Sequence, residues 1–131
     1  MGSEMCIRDS NAAYDPNYPS VFEKKNTSYF GRGIVFNKFT GSRGKSGSND
    51  ANAEYVAYVR AAMEKDGVAY QMSELGKVDA GGGGTIAYIL ANYGMNVMDC
   101  GVAVQNMHAP YEVTNKIDIY ETMRGYKAFL K

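Results

Sequence analysis

The run Met95-Asn96-Val97-Met98-Asp99-Cys100-Gly101-Val102-Ala103-Val104 is the most apolar stretch of the chain. Such a run suits a strand buried on both faces of a sheet. Toward the C-terminus, QNMHAPYEVTN (105–115) reads as a loop, and Ile119, Met123, Tyr126 and Leu130 then line one side of a final helix. Toward the N-terminus, Ile86, Ile89, Leu90 and Tyr93 keep helical spacing. Thr85 is placed to cap that helix, Ile86–Tyr93, and Gly94 to end it. A long loop, SELGKVDAGGGG (73–84), precedes it and follows a short strand, Val68–Met72. Ala51–Asp66 is a second helix, with Val56, Val59 and Met63 on one face, a cap from Ser48, Asn49 or Asp50, and Gly67 as its stop. Gly33–Thr40 is a strand with Ile34 and Phe36 on one face, and Gly41–Asp50 is a polar loop of turn formers. Asn11–Gly31 reads as irregular, since Pro16 and Pro19 disfavour helix before them.

The order strand, helix, strand, helix, strand, helix predicts an α/β sandwich with parallel neighbours and helices on the sheet faces. In such sheets ligands sit at the carboxyl ends of strands, where the long loops fall here. The length, 131 residues, suits one domain, and 45% hydrophobic residues are enough for a core. Lysine plus arginine equals aspartate plus glutamate, 14 each, so charge gives no reason to expect nucleic acid or an anionic membrane as partner. No apolar run reaches the length of a membrane span, and no secretory signal pattern is visible. Of the two cysteines, Cys100 lies in the apolar run, where a free thiol behaves as a small buried hydrophobe. With no disulfide framework legible, the cytoplasm is the expected compartment.

The start has a different character. Met1-Gly2-Ser3 reads as a cloning remnant, and MCIRDS (5–10) resembles the translation of a transposon-end adapter used in DNA library preparation. Residues 1–10 are therefore read as tag- or adapter-derived and 11–131 as the body of the protein. On that reading the true protein extends upstream.

Four features bear on chemistry. FTGSRGKSGS ends like a phosphate-binding loop at Gly44-Lys45-Ser46, but Phe39 stands where the first glycine is needed to wrap backbone N–H groups round a phosphate. Gly81–Gly84 before a helix lets backbone approach a ligand closely, and serves equally as a linker before a capped helix. Glu74 and Asp79 flank Lys77, as acid/base groups or as solvated surface charges. His108 is the only histidine; a lone histidine is more often structural, yet this one follows the most apolar strand, in a loop held by Pro110. Glu112 is placed to accept from its ring, or else is a solvated loop charge. A zinc site needs three or four ligands, and no HExxH or CxxC pattern supplies them locally.

NAAYDPNYP, TGSRGKSGSNDANAEYV, ELGKVDAGGGGTIAYILANYG and DCGVAVQNMHAPYE together resemble the aspartyl-aminopeptidase and aminopeptidase-I family of cytosolic zinc exopeptidases, in the family's order, over essentially Asn11–Lys131. The resemblance implies the C-terminal part of a three-layer α/β sandwich, with two zinc ions in the parent enzyme and peptides as substrates. It implies that His108, in Met107-His108, is a metal ligand, and that Asp9 falls in register with a second. It also implies that Lys45, Gly82, Gly83 and Thr85 line the substrate cleft, and that the parent is a homo-oligomer. The family's upstream histidine, its other aspartate and its paired glutamates have no counterpart, so no catalytic residue is assigned and the isolated chain is expected to be inactive. A stand-alone phosphate- or peptide-binding α/β module and a non-catalytic interaction domain are the alternatives.

Overall fold

The apolar run is divided between two sheets. The computed structural model describes residues 4–8, 10–42, 46–78, 80 and 83–131. In chain order the strands are β1 (Glu4–Arg8), β2 (Asn11–Ala12), β3 (Ile34–Ser42), β4 (Ser46–Asp50), β5 (Tyr70–Glu74), β6 (Asn96–Gly101), β7 (Ala103–Gln105) and β8 (Val113–Thr114). The helices are α1 (Ala53–Lys65), α2 (Ala87–Ala91) and α3 (Lys116–Phe129). One sheet runs β1-β6-β3-β4, with β5 also on β3; the other runs β2-β7-β8. The break at Val102 follows from pairing. β3 meets β6 only as far as Val35 opposite Gly101, so the chain beyond has no partner there, and β7 pairs instead with β2.

The sheet is mixed rather than parallel. β1 with β6 and β3 with β5 are parallel, whereas β3 is antiparallel to both β6 and β4. The expected loop 41–50 carries a strand because β4 returns directly along β3, and so short a connection permits only antiparallel pairing. This also removes the strand–loop–helix context of a phosphate-binding loop: a second strand intervenes before α1. Residues 4–8, which show no strand periodicity, pair in parallel with β6 from Glu4 opposite Asn96 to Arg8 opposite Cys100.

Successive strand residues face opposite ways, and each face is covered. Ile34, Phe36, Met98 and Cys100 pack with Tyr55, Val59 and Met63 of α1 and Ala128 of α3. On the other face Val35 packs with Ala13 and Ala103, and Val97 with Ala87 of α2. Two helices, a central sheet, and α2 with the small sheet give three layers. Cys100 is fully buried, but it is disulfide-bonded rather than a free thiol. Asn52 caps α1, its Oδ1 accepting from Tyr55 N at 2.8 Å; the three expected cap residues are taken up by β4. No helix among the described residues is long and apolar enough to cross a membrane.

α3 lies the other way round from its apolar pattern. Of the expected row only Tyr126 packs against the core; Ile119, Met123 and Leu130 are 47%, 51% and 80% exposed, while Asp118, Glu121, Thr122, Gly125 and Ala128 are buried. The reason is polar. Asp118 accepts from Gly31 N and Gly33 N, both at 2.8 Å, and Glu121 accepts from Ala69 N at 2.8 Å. Burial alone would push the Glu121 carboxyl up; the Ala69 N–H and the Arg124 guanidinium outweigh it and hold it below its usual range. Gly125 completes the contact, since a Cβ there would meet Ile34 Cδ1 at 2.9 Å.

Candidate functional site

A cavity of about 470 Å³ opens where several strands end. Ser10 and Ala12 border it from the β2 segment, and Val21 and Phe22 from a 3-10 turn, Pro19–Val21. Leu75 and Gly76 follow β5, Gly83 and Gly84 precede α2, and Met107 and His108 follow β7. Leu75, Gly76, Met107 and His108 therefore lie past the carboxyl ends of strands, as expected for an α/β sheet.

The His108 loop is held at both ends. β7 pairs with β2 on one side and with β8 on the other, Val104 opposite Thr114 and Gln105 opposite Val113. Thr114 Oγ1 donates to Ala103 O at 2.8 Å, and Gln105 Nε2 donates to Tyr14 O at 2.9 Å. Between these clamps Asn106 and His108 both have left-handed backbone, φ 58° and 68°. Asparagine tolerates this region, but for histidine it is uncommon and costs on the order of 1–3 kcal/mol. Glu112 offsets the strain: its Oε1 accepts from His108 N at 2.6 Å. Glu112 thus fixes the backbone of His108, where an acceptor for its ring was expected. The imidazole stands exposed at the cavity.

Of the other expected site residues, Gly83 borders the same cavity as His108. Thr85 does not border it. It is buried, donating from Oγ1 to Asp99 Oδ2 at 2.6 Å, lying 3.2 Å from Thr40 Oγ1 and accepting from Ala87 N at 3.4 Å. Its hydroxyl ties the end of the glycine run to β6 and to the start of α2. Asp9, Lys45, Gly82 and Asp79 lie outside the described residues. Glu74, the other acid/base candidate, is on β5 and takes no part in the lining.

Sequence reasoning missed a buried amide cluster behind the wall. Asn11 is fully buried; its Nδ2 donates to Asn37 Oδ1, and Ser28 Oγ donates to its Oδ1. Its backbone N donates to Val102 O at 3.0 Å. Asn11 thereby fixes β2 against β3, and its neighbours Ser10 and Ala12 face the cavity. Nothing in the local pattern marks an asparagine as buried, because only long-range partners make its burial tolerable.

Among the described residues no group of three or more histidine, cysteine, aspartate or glutamate side chains is placed to hold a metal ion. His108 is a suitable zinc donor, but one imidazole is not a zinc site. The described residues by themselves therefore do not make up a zinc site.

Comparison with known proteins agrees with this geometry. The family model for the aminopeptidase I zinc metalloprotease (M18) matches residues 2–130. A probable M18 family aminopeptidase 1 from Clostridium acetobutylicum is 66% identical over 128 residues, which is 98% of this chain and 28% of that protein. The crystal structure of aminopeptidase I from Clostridium acetobutylicum superposes with a TM-score of 0.91 at 66% identity, over 98% of this chain and 28% of that one. An M18 family aminopeptidase from Thermotoga maritima gives 0.92 at 42% identity, with the same two coverages. The chain spans about 28% of the length of the curated relatives it matches. With the family match running through both sheets, all three helices and the His108 loop, the chain belongs to the aminopeptidase I zinc metalloprotease family.

Proposed function

We propose that this chain is the C-terminal part of the catalytic domain of a zinc-dependent aminopeptidase, that it supplies one edge of a two-metal site, and that it is inactive by itself. The observation that carries the reading is the His108 loop: a strained histidine backbone, clamped by Glu112 and two strand pairings, presents an imidazole to a cavity that Gly83 also borders. Backbone strain of this kind is retained where the surrounding structure over-determines a functional geometry.

His108 is the ligand this chain offers among its described residues, and Asp9, two residues before Asn11, is proposed as a second. Bound zinc would polarise the scissile carbonyl and lower the pKa of a bound water. The chain's own part is positional. Glu112 holds His108, the Asn11 cluster holds the strand that follows Asp9, and Thr85 holds the glycine run. Gly82, Gly83 and Lys45 are proposed to border the peptide, Lys45 meeting a substrate carboxylate. The remaining ligands and the general base belong to the rest of the parent, which we propose to be a homo-oligomer acting on peptides.

Zinc titration by calorimetry, alongside turnover of aminoacyl-p-nitroanilides, tests this. The native chain should bind zinc weakly, His108→Ala should abolish that binding without altering the melting temperature, and neither should turn over substrate. Zinc-dependent turnover by the native chain, lost in His108→Ala, would mean that the whole active site lies within these 131 residues and would sink the partial-site reading.

A further inference from the structure

We infer that Asp99, a carboxylate buried within the larger sheet, is a positioning residue that fixes the glycine run at the cavity rim by holding the Thr85 hydroxyl; that the run so placed borders a peptide rests on the aminopeptidase reading above. Gly83 and Gly84 border the cavity, yet among the described residues neither makes a backbone hydrogen bond. Glycine has the most backbone freedom to lose on ordering, so such a run does not hold its own place. Its anchor is the residue that follows. Thr85 Oγ1 donates to Asp99 Oδ2 at 2.6 Å, a length typical of a hydroxyl on a carboxylate. Thr40 Oγ1 lies 3.5 Å from the same oxygen and 3.2 Å from Thr85 Oγ1. The three side chains come from β6, β3 and the segment before α2, and all are buried.

Asp99 is fully buried on β6, between β1 and β3, and stands opposite Asn37. The other buried carboxylates among the described residues, Asp118 and Glu121, lie on α3 and accept from backbone N–H groups, whereas Asp99 accepts from a side-chain hydroxyl. Taking a carboxylate out of water is costly, and a well-packed apolar side chain in its place is often no less stable. What an apolar side chain cannot do is hold a hydroxyl at one point, because apolar contact is non-directional. The strand that carries Asp99 also leads, through Val102 and β7, into the His108 loop. One strand thereby sets the glycine wall and the histidine wall of the same cavity at a fixed separation.

The test is amide-resolved NMR relaxation on the full 131-residue chain, native and with Thr85→Val, Thr85→Ser and Asp99→Asn. In the native chain Gly83 and Gly84 should have order parameters of roughly 0.85, as in rigid backbone. Thr85→Val keeps the shape and loses the hydroxyl, so it should lower both below about 0.6 while β3 and α1 stay unchanged. Thr85→Ser should keep them high. Asp99→Asn should lower them in the native chain and add nothing in Thr85→Val, since the two residues are the ends of one bond. A rigid run in Thr85→Val, a native run that is already mobile, or an Asp99→Asn effect that persists in full in Thr85→Val overturns the inference. Should Asp99→Asn not fold, Thr85→Val against Thr85→Ser decides alone. Trialanine added to the native chain reports separately on the underlying reading. If it leaves the Gly83 and Gly84 amide signals unmoved although Thr85→Val loosens the run, the peptide cleft fails and the anchor stands; if it moves them and Thr85→Val leaves the run rigid, only the anchor fails.

Discussion

Replacing Asp118 by alanine should be among the most damaging single changes in the chain, although Asp118 lies on a helix whose apolar residues point elsewhere. Its carboxylate is fully buried and accepts two backbone N–H groups, from Gly31 and Gly33, each at 2.8 Å. Hydrogen bonds to a charged group contribute roughly 1.5–3 kcal/mol each. The two N–H groups differ, however. Gly31 is exposed, so water replaces most of its bond, while Gly33 is buried and its N–H would be left unpaired. A total of about 2–4 kcal/mol follows, a large part of the roughly 5–15 kcal/mol that holds a typical domain together. Asp118→Asn keeps one acceptor oxygen and turns an NH2 toward the other donor, so it should cost about half as much. The assay is urea unfolding followed by circular dichroism, with the slope checked for constancy so that the midpoint reports stability. Met123→Ala is the internal control: Met123 sits on the same helix, reads as core by spacing, and is 51% exposed. It should change stability by no more than about 0.5 kcal/mol. If Met123→Ala proves the costlier of the two, the orientation of α3 is wrong and the argument fails with it.

Gly33→Ala should be at least as severe: φ is +87° and an added Cβ would stand 2.0 Å from Ala69 O, so the start of β3 must move away from β5. Thermal melts should show loss of the cooperative transition, and a melt within a few degrees of native would refute the contact. Acid titration should reveal Glu121. Its folded pKa lies below its unfolded one, so its contribution is full above the unfolded value and is lost as pH falls through the folded value. Glu121→Gln should therefore flatten the acid limb of the stability curve below the usual carboxylate range, and an unchanged limb would discount the Ala69 and Arg124 bonds. The exposed row of Ile117, Ile119, Met123 and Leu130 should drive concentration-dependent self-association, visible in sedimentation velocity and reduced by Met123→Glu. A monomer at all concentrations would show that the row is tolerated by water.

Elements with strong local signals were legible. The α1 face at Val59 and Met63 and the strand from Ile34 follow from periodicity, and a cavity at strand ends follows from the placing of the long loops. What failed was set by pairing and polar partners outside each segment. Ser46–Asp50 has the composition of a loop and becomes a strand because β3 offers it an edge. The run 95–104 reads as one strand and is cut at Val102 because β3 ends its pairing there. α3 follows the helical pattern in existence but not in orientation, since two buried carboxylates bonded to distant backbone outweigh a modest apolar stripe. The place of His108 in a loop following the apolar run was legible, and the structure sets that loop beside the cavity. The action of Glu112 on the His108 backbone was not, because left-handed geometry at a histidine leaves no mark in the sequence.

These failures share a cause that also links fold to site. β3 is gripped on both faces by polar groups. On the helix side Asp118 holds Gly33, one residue before the strand begins. On the cavity side Asn37 meets Asn11, which carries Ser28 and, through β2, the wall at Ser10 and Ala12. β2 in turn pairs with β7, and β7 leads directly into the His108 loop. Apolar packing alone would let β3 slide or tilt at little cost, because hydrophobic contact is non-directional. Directional bonds at both faces fix its register, and so fix the distance between the cavity wall and the histidine. Under the proposed role of His108 as one metal ligand among several, that is where buried polar groups are best placed, even though they erase the apolar pattern from which a sequence is read.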